Sequence, residues 1–92
     1  MKSIFNKIIN NFLSKKWSFN IVRREEAIYK EKSKKMTLFV VYNVESLCWE
    51  AYLEKKWDPP CKSNLTEEEF ARIKKNIISQ GAANGENWII HR

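Results

Sequence analysis

Met36-Thr37-Leu38-Phe39-Val40-Val41-Tyr42 is the stretch from which the rest of this chain is read. Leu38 to Tyr42 form an unbroken apolar run, β-branched and aromatic, too short for a buried helix. A strand with apolar side chains on both faces needs cover on both, which puts this run inside a sheet. The elements on either side of it are the candidates for that cover.

Working back from the run, Glu31-Lys32-Ser33-Lys34-Lys35 reads as a solvated turn, and its lysines suit contact with phosphate. Ala27 to Lys30 is a strand, and the polar Arg23-Arg24-Glu25-Glu26 turns the chain before it. Trp17 to Val22 is another strand, with Trp17, Phe19 and Ile21 on one face and Ser18, Asn20 and Val22 on the other. Residues 3–15 predict a helix: Ile4, Phe5, Ile8, Ile9, Phe12 and Leu13 make one stripe at helical spacing, behind Ser3 as N-cap. That stripe is expected to cover one face of the sheet. A basic amphipathic helix can also lie on a membrane or bind an acidic partner.

Working forward, Asn43-Val44-Glu45-Ser46 turns the chain. Leu47 to Glu54 alternates, with Leu47, Trp49, Ala51 and Leu53 on one side and Cys48, Glu50, Tyr52 and Glu54 on the other. A strand is preferred here, although residues 45–55 also contain good helix formers. Asp58-Pro59-Pro60 ends the element either way. The clearest signal follows it. Thr66 and Glu69 form a capping box, Leu65 and Phe70 stand at staple positions, and Glu67, Glu68 and Glu69 put negative charge at the positive end of the dipole. Phe70, Ile73 and Ile77 make the buried stripe, and Gly81 is the expected C′ residue. Asn84-Gly85 turns into a last strand, Asn87 to His91. The expected fold is α+β: a small antiparallel sheet (a meander), with an N-terminal helix and a second helix before the last strand.

Length and composition bound the rest. Ninety-two residues make one domain, 1–92, and 43% apolar with 30% charged content is ordinary for a folded one. No run of 18 apolar residues predicts a membrane span. The interrupted N-terminal apolar stretch is not a secretory signal, so a cytoplasmic protein with reduced Cys48 and Cys61 is expected. The net charge of +6 is uneven. Residues 1–16 carry a net +4, residues 23–35 a net +3, and residues 45–58 a net −2.

Chemistry is sparse. Cys48, Cys61 and His91 are too few and too scattered for a zinc site, and no cofactor is expected. No flanking motif supports Cys48 or Cys61 with His91 as a nucleophile pair. Glu50 and Glu54 share a strand face but look solvated beside Lys55 and Lys56. With Gly81 and Gly85 as the sole glycines, no phosphate-cradling loop exists. The chain does not read as an enzyme. What remains is binding. Trp49, Tyr52 and Trp57 stand among Glu50, Glu54, Lys55, Lys56 and Asp58, the aromatic anchors and polar rim of a protein interface.

From about Phe39 onward one further pattern stands out. The strand Phe39-Val40-Val41-Tyr42 is followed by Trp57-Asp58-Pro59-Pro60. Leu65-Thr66-Glu67-Glu68 then opens a helix ending in Gln80-Gly81, and Trp88-Ile89-Ile90 closes the chain. In this order and spacing the chain resembles the small immunity proteins of bacterial polymorphic-toxin and contact-dependent growth inhibition systems. The resemblance implies a non-enzymatic inhibitor that binds a cognate toxin domain, a nuclease among the candidates, and occludes its active site or a nearby surface. Trp49, Glu50, Tyr52, Glu54, Lys55, Lys56, Trp57 and Asp58 are then its expected contacts. The alternative is a small nucleic-acid-binding module using Lys15, Lys16, Arg23, Arg24 and the Lys32–Lys35 turn.

Overall fold

The computed structural model describes residues 16–92, so the helix expected at 3–15 lies outside the described residues. Five strands, β1 (Trp17–Arg23), β2 (Glu26–Glu31), β3 (Lys34–Asn43), β4 (Cys48–Tyr52) and β5 (Trp88–His91), form one sheet in sequence order. A single helix among the described residues, α1 (Glu67–Ala83), lies between β4 and β5. The first four strands run antiparallel, but β5 lies parallel to β4, pairing Trp49 with Trp88 and Tyr52 with His91. The expected antiparallel meander is therefore corrected to a mixed sheet, with one helix rather than two among the described residues. The reason is the connection: a 17-residue helix spans about 25 Å. It carries the chain back along the sheet, so β5 starts at the same end as β4.

The apolar run at 36–42 lies in β3, the middle strand, and residues 48–52 are strand rather than helix. Met36, Leu38 and Val40 point at α1 and are buried, with Ala27, Tyr29, Ala51, Ile73 and Ile77 around them. The sheet curls toward the helix, because Phe19 on β1 meets Trp88 on β5 edge to face at 5.2 Å. In a flat sheet those strands would stand about 19 Å apart.

Polar ties fix the helix on this face. The Arg72 guanidinium donates through Nε and its terminal nitrogen to the buried Glu31 carboxylate, which also accepts from the Tyr29 hydroxyl at 2.9 Å. The Arg72 fork, aided by Tyr29, holds the Glu31 carboxyl below the usual carboxylate range despite burial. Burial pushes the Tyr29 hydroxyl up. Burial also raises the Glu69 carboxyl, but Lys34 Nζ at 2.7 Å and the Thr66 backbone N–H outweigh it and hold Glu69 at about 2. Thr66 and Glu69 close the capping box in both directions.

The C-terminal end of α1 corrects the role given to Gly81. The helix runs through it to Ala83, and Gly85, at φ 75°, is the C′ residue. Glu86 N–H bonds to the Gly81 carbonyl and Gly85 N–H to the Ala82 carbonyl, a Schellman motif. Gly81 is glycine because a Cβ there would lie 2.1 Å from Trp88 Cδ1.

Candidate partner-binding surface

The eight expected contact residues are not brought together. Trp57 is 2% exposed and belongs to the core, its ring tilted against Tyr29 with Lys34 Nζ 5.4 Å from its centroid. Flanking charges put it on the surface in the sequence reading. The structure corrects this, because the connection after β4 folds it inward beneath Lys34. Its indole N–H has no hydrogen-bond partner among the described residues, though it lies near enough to Glu69 to favour that carboxylate's charged form.

Asp58 is a clamp. Among the described residues the first half of β3 has no strand on its β4 side, and Asp58 fills the gap. Its N–H donates to the Lys35 carbonyl at 2.7 Å, while its carboxylate accepts from the Thr37 N–H and hydroxyl at 3.0 and 2.7 Å. Trp49 faces the helix side and stacks on Trp88 at 5.3 Å. Lys55 and Lys56 are exposed in the connection, where Leu65 N–H bonds to the Lys55 carbonyl and Lys56 bridges to Asn64.

Glu50 and Tyr52 do share a surface, the sheet face turned away from α1, and the exposed Glu54 continues their side of the chain. Strand parity adds Phe39, Val41, Ile89 and His91 to that surface. Phe39, Tyr52 and Ile89 are 45%, 40% and 46% exposed, unusual for side chains of that size in neighbouring strands. Phe39 packs on Tyr52 at 5.6 Å, and Tyr52 stacks on His91 at 4.4 Å. Glu50 is the polar hub. It accepts from Asn43 at 3.0 Å, pairs with His91 Nε2 at 2.7 Å and accepts from the Tyr52 hydroxyl at 3.2 Å. Those bonds, from Asn43 first and then His91, lower the Glu50 carboxyl, while burial and Glu50 raise the Tyr52 hydroxyl.

Phe39, Ile89 and His91 were not among the expected contacts, although alternation along the central run was the available signal. That run was expected to be covered on both faces. Among the described residues only one face is covered.

A carboxylate beside an imidazole is the start of acid–base chemistry, but Cys48, one of the two nucleophiles considered from sequence, is out of reach. Cys48 pairs with Asn43 and Tyr52 with His91, four residues or about 13 Å along the strand. Buried Cys48 contacts Ser46, and exposed Cys61 contacts Ser63, which lowers its thiol pKa. Among the described residues no three His, Cys, Asp or Glu side chains could hold a metal ion, and no helix is long and apolar enough to cross a membrane.

The basic residues are divided. Lys16 and Lys32, joined through their backbones, lie with Lys35 at one end of the β1–β2 pair, whereas Arg23 and Arg24 lie at the other. Lys34 is already committed to Glu69. The lysines of residues 2–15, and the membrane contact considered for that segment, lie outside the described residues. No protein-family model, curated protein or solved structure matches this chain.

Proposed function

We propose that this protein binds another protein through the open face of its sheet. Following the resemblance of its C-terminal portion, the partner is a toxin domain, neutralised by covering its active site or a nearby surface. The observation that carries the reading is the exposed set Phe39, Tyr52 and Ile89 around the Glu50–His91 pair. Apolar anchors with a polar rim are the usual anatomy of a protein interface. Glu50 and Glu54 add negative charge that would complement the phosphate-binding cleft of a nuclease toxin. In this reading the chain is an inhibitor without chemistry of its own, acting in the cytoplasm with both thiols reduced.

The test is affinity capture from the native lysate with nuclease and high salt. One stoichiometric protein should survive both treatments, and Tyr52→Ala or Phe39→Asp should weaken its capture at least about tenfold with the fold intact. Capture unchanged in both variants would discard this surface. The second reading is nucleic-acid contact through the lysine end, Lys16, Lys32 and Lys35. It predicts nucleic-acid binding that falls steeply with salt and survives Tyr52→Ala.

A further inference from the structure

The helix-side face holds a second site that partner binding does not use. α1 ends against Phe19 and Trp88: Gln80 Nε2 donates to the Phe19 carbonyl at 2.8 Å, and Gly81 abuts the Trp88 ring. Beyond that end the curled sheet stays open at its mouth. There a pocket of about 320 Å³ has buried Val40 as its floor, with Ile21, Tyr42 and Trp49 as walls. Tyr42 and Trp49 meet edge to face at 5.3 Å, and Trp49 is braced from behind by Trp88. Parity turns Ile21 and Tyr42 toward the covered side, yet they are 45% and 40% exposed because the helix stops short of them. Two cations, Arg23 and Arg24, form the lip against one acid, Glu25. Arg23 makes a long contact of 3.7 Å to Glu26, and Arg24 makes no ion pair among the described residues.

We propose that this mouth binds a small aromatic anion, a planar ring carrying a carboxylate or a phosphate. The ring lies against Tyr42 and Trp49 over Val40, and the anionic group meets Arg24 with Arg23 beside it. Size and charge select this class. The volume is that of a small-molecule site, and ligand pockets favour the mouths of curled sheets. Aromatic walls stack planar rings, and a guanidinium on the lip binds carboxylate or phosphate as a fork. The inference is independent of the partner-binding reading, which uses the opposite face, so either can fail alone.

The test is an amide NMR titration of the full chain with indoleacetate, adenosine monophosphate and tryptamine. Indoleacetate and tryptamine share a ring and differ in the sign of their charge. Indoleacetate should bind at least about tenfold more tightly than tryptamine, with shifts centred on Ile21, Arg24, Tyr42 and Trp49. Arg24→Gln should remove the preference, and Tyr42→Ala should weaken both ligands while the spectrum stays folded. Binding of adenosine monophosphate as well would extend the class from a carboxylate to a phosphate on a planar ring. Equal binding of tryptamine, shifts centred elsewhere, or no binding of either anion at about 5 mM would overturn the proposal.

Discussion

Phe39 and Val40 are neighbours in one strand and both apolar, yet they belong to different worlds. Val40 is fully buried beneath the helix side of the sheet; Phe39 stands nearly half exposed on the other side. Beneath the helix, packing is close: Gly81 against Trp88, an Arg72–Glu31 fork, and a capping box whose Glu69 also holds Lys34. On the open side, the same strands present anchors with nothing from the described residues over them. The ground under the helix stabilises and the open face is free to bind a partner, so substitutions should separate the two.

The largest effect expected is at Gly81. Helix propensity alone would make Gly81→Ala stabilising by about 1 kcal/mol. The Trp88 ring reverses that sign, and we expect a loss of about 2–3 kcal/mol in urea unfolding. An unchanged midpoint would mean that the covered face is looser than described. Next comes Arg72→Ala, which leaves Glu31 buried without its cation. Because Arg72 itself is about half exposed, the expected cost is about 2 kcal/mol rather than that of a fully buried pair.

Acid should act on the same face. Glu31 and Glu69 both have carboxyls held below their unfolded value of 4.5, so their stabilisation is complete above that pH. It is lost as pH falls from there toward about 2, where Glu69 takes up its proton. Urea midpoints at neutral pH and at about pH 3 measure the drop, and Glu69→Gln should make it smaller.

The paired substitutions Val40→Ala and Phe39→Ser test the comparison itself. The first should cost about 2 kcal/mol, and the second under about 1 kcal/mol while weakening partner capture. Equal costs would mean that the open face is packed in solution. The smallest effect belongs to Leu47, at φ 55° in the β3–β4 turn with its side chain two-thirds exposed. Leu47→Gly should leave thermal stability unchanged or raise it by about 0.5–1 kcal/mol.

What could be read in the sequence was local. The capping box needs only Thr66 and Glu69, three residues apart, and it is present. The hairpin turns needed only short polar breaks, and the strands fall between them. What could not be read depends on distant residues. Gly81 has the look of a helix stop because glycines often are, but its reason is a ring seven residues later. Trp57 stands among charges and belongs in the core, where Lys34 lies over it. Asp58 has the look of a rim acid until the unfilled edge of β3 is known. The direction of β5 follows from the return path of α1, which no residue of β5 announces. Half of the proposed surface was legible, as Glu50, Tyr52 and Glu54. The other half, Phe39, Ile89 and His91, comes from strands whose register had to be known first.

The parallel strand has a consequence in time. The hairpins joining β1 to β4 bring together residues close in the chain and can form early. Trp49 meets Trp88 across 39 positions, so that pairing carries the loop-closure cost of the whole connection and must wait for α1. Folding should therefore be limited by docking of the last strand, and the stacked Trp49–Trp88 pair supplies a fluorescent clock for that step.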